Sequence, residues 1–225
     1  MYSHIDRRFD EELLSLKQEI LKMGDLVETM VCDAMKALVE CDLGSLSLIA
    51  DNEAIVNRMQ IEVDEICLRL IALHQPTAID LRFLMGVSKI NNELERVGDH
   101  SINISERVSE IVRNRQLKPY IDLPLMAGIT REMFKDSLRA FIDLDVEKAK
   151  AILLKDDQVD DLRHKIIREC IEIMGADPST VQISVNLIML VNNLEKIADH
   201  ATNIAEIVIF VAQGKDIRHH AEKIE

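Results

Sequence analysis

The chain has 225 residues, 48% of them apolar and 3% aromatic, with no Trp and a formal net charge of −13. That is enough apolar matter for one large or two small cores. The acidity repels phosphate backbones, which removes the usual electrostatic basis of nucleic-acid binding.

Abundant Leu, Ile, Ala, Glu and Lys with few Pro and Gly make a helix-forming composition, so the expected fold class is all-α. In chain order, the pattern predicts a first helix from Ile5 to Cys41 and, after a break at Gly44, a second from Ser45 to His74. Gln75-Pro76-Thr77 reads as a turn, followed by a third helix to Arg115. Residues 116–124, QLKPYIDLP, carry two prolines and read as a linker. A fourth helix follows to Leu144, a fifth to Met174, a turn at Gly175 to Ser179, and a sixth helix to Gln213. The polar tail 214–225 is expected to fray. The N-terminus lacks an apolar leader, and the longest apolar run, Ile207 to Ala212, is too short to span a bilayer. A cytoplasmic protein without membrane insertion is therefore expected. The four cysteines form no CxxC pair and lie in apolar helical patterns, as buried free thiols do.

The second series of three helices repeats the first. At an offset of 103, Asp33, Ala37, Asp42 and Cys67 meet Asp136, Ala140, Asp145 and Cys170. Beyond the Pro turns the offset is 100, where Asn92, Leu94, Glu95, Asp99, His100, Asn103, Ile104, Glu106 and Val108 each meet their own residue type. This internal duplication predicts two tandem three-helix bundles, residues 1–115 and 125–213, built from six long helices.

In the third helix, Val87, Ile90, Leu94, Val97, Ser101, Ile104, Val108 and Ile111 alternate steps of three and four and form its core seam. On roughly the opposite side run Asn92, Glu95, Asp99, Asn103 and Glu106, repeated as Asn192, Glu195, Asp199, Asn203 and Glu206. The stripe carries no cation and is expected to point away from its own bundle. Glu95 and Asp99 are four apart, a like-charge spacing that costs an isolated helix a few tenths of a kcal/mol and that a bound cation would reverse. Carboxylate and amide oxygens suit Mg²⁺, Mn²⁺, Ca²⁺ or iron, and His100 and His200 could add ligands that admit Zn²⁺ or iron. Two other readings stay open. The stripe could be a metal-free docking surface for basic side chains, or the chain could be a carboxylate-bridged di-iron protein, although no histidine here has the Glu three residues before it that such sites use. His100 and His200 equally read as residues at the edge of the core, His74 as a helix-end residue, and His219 and His220 as solvated. There is no phosphate-binding glycine loop, Gly-x-Ser-x-Gly or His-Glu-x-x-His, so a non-enzymatic protein is expected.

At ELERVGDH (Glu93 to His100), NLEKIADH (Asn193 to His200) and HQPTAIDLR (His74 to Arg82), the chain resembles the PhoU family of bacterial and archaeal phosphate-signalling regulators. The resemblance runs from Phe9 to about Val211 and implies the same two-bundle fold. It further implies iron or zinc ions, in multinuclear clusters in some members, held at the Glu-x-x-x-Asp pairs Glu95, Asp99, Glu195 and Asp199. It implies a negative regulator of the phosphate regulon that links the Pst transporter ATPase to a PhoR-type sensor kinase. Asn103, Glu106, Asn203, Glu206, His100 and His200 are secondary candidates around those pairs. The length of the amphipathic bundle suits a homodimer. Asp177 to Ser184 lacks the Asp-Leu-Arg of the first half, and no role is carried over there.

Overall fold

A computed structural model describes residues 7–114 and 122–217. Six α-helices account for nearly all of them: α1 (Arg7–Glu40), α2 (Ile49–His74), α3 (Ala78–Arg113), α4 (Asp122–Asp143), α5 (Val146–Ala176) and α6 (Val181–Gln213). Three boundaries differ from the sequence reading. Leu43–Leu46 forms a 3₁₀ turn, because the Asp42 carboxylate caps Gly44 N–H, and α2 starts only at Ile49. α4 begins at Asp122, inside the expected linker. Pro124 falls in its first turn, where a missing N–H has no helical partner to lose. α5 continues through Gly175 and Ala176 to an Asp177 cap. The expected helix start at Ile5, most of the linker and the His219/His220 tail lie outside the described residues.

The backbone repeats along with the side chains. Cys41 and Leu144, 103 apart, both adopt left-handed φ, at 54° and 52°. Each lets the next residue's N–H return to the helix, Asp42 to Ala37 and Asp145 to Ala140. Asp145 then caps α5 through Lys148 N–H, as Asp42 caps the 3₁₀ turn. At the end of α6, Gly214 takes φ 71°, the left-handed cap for which glycine is suited, and returns its N–H to Phe210.

All eight residues of the predicted α3 seam are buried, together with Leu94's and Val97's counterparts Leu194 and Ile197 in α6. The helices form two layers. α3 and α6 pack against each other in the middle of one layer, flanked by α2 and α5, while α1 and α4 lie behind α3 and α6. The halves are joined antiparallel: Arg82 of α3 donates to Val211 O, and Arg107 to Asn186. Phe83 stacks on Phe141 of α4 at 5.1 Å. Behind them, Glu28 of α1, 11% exposed, receives Arg131 at 2.6 Å and Lys135 at 3.5 Å from α4.

The seam is tightest at Gly86. A Cβ there would stand 2.7 Å from Val211 Cγ2 and 3.3 Å from Ile207 Cγ2 and Phe141 Cε2. Val211 is fully buried and β-branched, so it has no room to turn aside. Overpacking of this kind costs about 1–3 kcal/mol, against about 1 kcal/mol that alanine gains over glycine inside a helix. Gly86→Ala is expected to lower stability by about 1 kcal/mol in urea titration. Gly24→Ala, which meets only the flexible tip of Leu138, should stay close to neutral.

Candidate functional site

The acidic stripes of α3 and α6 lie on the outer layer, and each leans toward the middle helix of its own half. Asn92 accepts from Gln60 of α2 at 3.1 Å, and Asn192 accepts from Arg163 of α5 at 2.9 Å. The expectation that the stripe turns wholly away from its bundle is thus corrected: one flank is shared with α2 or α5.

That flank adds residues which α3 and α6 alone do not reveal. At an offset of 103, Glu53 and Asn57 of α2 correspond to Asp156 and Asp160 of α5. Asp156 is half-buried; burial, then repulsion from Asp199, Asp160, Glu195 and Asp157, pushes its carboxyl up to about 6. Glu95 is displaced in the same direction by burial and then by Asp99, with Glu53 adding to the repulsion. The offset that aligns Cys67 with Cys170 also aligns these positions, but their residue types differ between the halves and so escape a search for repeated identities.

The stripe residues themselves include no cation, but neighbouring ones reach them. Lys196 is folded over the second-half stripe, with Nζ 2.7 Å from Asp199 and 3.3 Å from Glu195, and Arg107 pairs with Glu106 at 3.1 Å. Both are partly solvated surface pairs of small energetic value. Asp99, Asn103 and Glu106 are exposed, while Asn203 and Glu206 are half-buried.

His100 and His200 meet where α3 crosses α6, with ring centroids 5.3 Å apart. His200, 6% exposed, shares a 2.6 Å hydrogen bond between Nδ1 and Glu93, and Asn203 donates to the same Glu93 oxygen at 3.0 Å. On the other side, His100 Nδ1 bonds Asn193 at 2.9 Å. Burial alone would raise the Glu93 carboxyl, but the bonds from His200 and Asn203 and the nearby positive charge outweigh it and lower the net value. Burial pushes His100 below its usual range, an effect only partly offset by the Asn193 bond. The histidines are thus residues of the seam between the halves, as one of the two sequence readings has it. Sequence reasoning passed over Glu93, whose counterpart is Asn193. That exchange beside otherwise repeated residues marks where the two halves meet through one carboxylate–imidazole and one amide–imidazole contact.

The donor set can be tested against a metal. Asp156, Asp160, Glu195 and Asp199 offer four carboxylates from two adjacent helices, and Glu53, Asn57, Glu95 and Asp99 offer three and an amide. Both sets suit hard or borderline cations. Among the described residues, no group of three or more His, Cys, Asp or Glu side chains already converges to hold an ion. An ion at the second set would displace Lys196 and draw the four carboxylates inward. The donor chemistry fits.

The PhoU domain model matches residues 20–108 and 123–208. The chain is 34% identical to the phosphate-specific transport system accessory protein PhoU homolog of Pseudomonas putida, covering 96% of this chain and 85% of that one. It is 32% identical to the accessory protein PhoU of Escherichia coli K12, covering 96% and 90%. The crystal structure of PhoU from Pseudomonas aeruginosa superposes with a TM-score of 0.88 at 32% identity, covering 92% of this chain and all of that one. The phosphate transport system regulatory protein PhoU from Streptococcus pneumoniae gives 0.86 at 30% identity, covering 93% and 99%. With the domain model matched once in each half and the fold shared along nearly the whole chain, the chain belongs to the PhoU family.

Proposed function

We propose that this chain is a cytoplasmic, non-enzymatic regulator of phosphate transport and signalling. It relays phosphate sufficiency from the Pst transporter ATPase to a PhoR-type kinase as a negative regulator of the phosphate regulon. Iron or zinc, with Mg²⁺ or Mn²⁺ as weaker occupants, binds at Glu95/Asp99 and Glu195/Asp199, joined by Glu53 and by Asp156 and Asp160. The accessory and regulatory names of its relatives support the role. Among the described residues, no helix is long and apolar enough to cross a membrane. The observation that carries the metal reading is the crowding of Asp156, Asp160, Glu195 and Asp199 on two adjacent helices, which with burial pushes the Asp156 carboxyl up to about 6 although Lys196 pairs with Asp199 and Glu195. A divalent ion would relieve that repulsion and, by neutralising the stripe, change which partner surface fits it.

The test is complementation in a strain lacking the gene, with a phosphate-regulon reporter read at high phosphate. The wild-type chain should repress, and a variant with Glu95, Asp99, Glu195 and Asp199 changed to Ala, expressed at the same level, should not. Full repression by that variant would overturn the proposal. A metal-free docking surface is the second reading, favoured by Lys196 already neutralising part of the stripe; under it, Glu195→Lys would weaken the partner while bound metal stays unchanged.

A further inference from the structure

The contacts between the halves locate an approximate two-fold axis. Arg82 faces Val211, His100 faces Asn193 and Arg107 faces Asn186, so facing positions on α3 and α6 sum to 293 in all three pairs. Equivalent positions on these helices are 100 apart, and the axis therefore passes beside Arg96 and Lys196. The rear layer agrees: Glu28 and Arg131 are equivalent at an offset of 103, and they face each other directly.

Rotation about this axis exchanges α3 and α6 but preserves direction along it. The outer ridges of both helices therefore emerge on one face, opposite α1 and α4. Each ridge has two parts. Its centre is the acidic pair, Glu95 and Asp99 or Glu195 and Asp199. Its N-terminal part, in line with the same helical face, is apolar: Leu81 and Met85 on α3, and their counterparts Val181 and Val185 on α6, each 39–45% exposed. Because the helices run antiparallel, these apolar ends lie on opposite sides of the acidic centre. About 25 residues of helical rise separate them, or roughly 35–40 Å.

We infer that this face docks on a two-fold symmetric protein dimer, with one chain lying astride the dimer axis. In the metal-free chain, basic side chains near that axis would meet the four carboxylates, which outnumber Arg96 and Lys196 there and would exchange Lys196 for the partner's cations, and two equivalent apolar pockets would receive the two ends. The acidic centre selects a positively charged partner surface. The paired ends select the symmetry: a single subunit could cover one apolar end and would leave its duplicate in water, whereas a two-fold dimer, the commonest symmetric assembly, covers both and gains from bivalency.

The inference rests on the proposed function for its probe, the purified ATPase subunit of the organism's Pst transporter in its dimeric form. Native mass spectrometry and titration calorimetry would be run with the metal-free full chain and with Met85→Asp, Val185→Asp, the double variant, and Leu14→Asp on the rear layer as control. All of these are surface positions, and circular dichroism checks that the helices persist. The expected result is one chain per two ATPase subunits, about tenfold weaker binding for either single variant, loss for the double, and no change for Leu14→Asp. One chain per ATPase subunit, dependence on one end only, or unchanged binding by the double variant would overturn the inference and leave the proposed function standing. No complex with the wild-type chain would overturn both.

Discussion

Glu93→Ala is expected to destabilise the protein by about 2–3 kcal/mol in denaturant titration. The carboxylate is the shared acceptor for His200 and Asn203, and its loss leaves two donors at the seam with nothing to bond. Removing one member of a largely buried, hydrogen-bonded charged contact costs more than the contact is worth, because the remaining groups keep their desolvation penalty. Glu93→Gln keeps an acceptor oxygen and should lose about 1 kcal/mol or less. The two also differ in pH dependence. In the unfolded chain Glu93 takes up a proton near 4.5, in the folded chain only at lower pH, so its contribution is present above 4.5 and is lost as pH falls below it. His100 acts in the same direction from higher pH: the unfolded histidine charges near 6.5 before the folded one does. Below about pH 4.5 the wild type should thus lose stability more steeply than Glu93→Gln, while between about 6.5 and 4.5 the loss from His100 runs against the gain from Asp156 and Glu95, whose raised carboxyls take up protons first in the folded chain. An equal acid slope in both proteins would show that the Glu93 contact is not formed in solution.

Asp156→Asn should do the opposite, stabilising the metal-free protein at neutral pH. A carboxyl raised from 3.8 to about 6 corresponds to about 3 kcal/mol of repulsion and desolvation. The group is half-buried, and solvent screening should leave about 1 kcal/mol of it. A raised value contributes stability below 3.8, where both states are protonated, and loses it as pH rises through about 6. The gain from the amide should accordingly be full above about pH 7 and absent near about pH 4. Since the substitution removes one carboxylate ligand, the same variant should bind Zn²⁺ or Mn²⁺ at least about tenfold more weakly by calorimetry. Stabilisation without loss of metal affinity would exclude Asp156 from the ion's surroundings.

The duplication explains why so much of the fold could be read from the sequence. Heptad spacing defined the α3 seam because a buried helix face has one period, and the repeat then carried the same reading to α6. The boundaries missed were those set by local capping: Asp42 turning Leu43–Leu46 into a 3₁₀ turn, and Pro124 tolerated in a first turn. The acidic stripe was legible because its residue types recur at one offset. Asp156 and Glu93 were not, for different reasons. Asp156 sits on a middle helix where only charge, not residue identity, is partly repeated, and Glu93 matters through a contact with the other half 107 residues away. A single-helix projection contains neither the flank that α5 closes nor the crossing that α6 makes.

The central claim, that the repeated Glu-x-x-x-Asp pairs are metal sites, is tested most directly by elemental analysis of the untagged protein purified without chelator, beside the variant in which Glu95, Asp99, Glu195 and Asp199 are changed to Ala. The expected result is iron or zinc at one or more equivalents per chain in the parent, absent from a variant whose helical content is intact. No metal in either protein, even after reconstitution with iron or zinc, would contradict it.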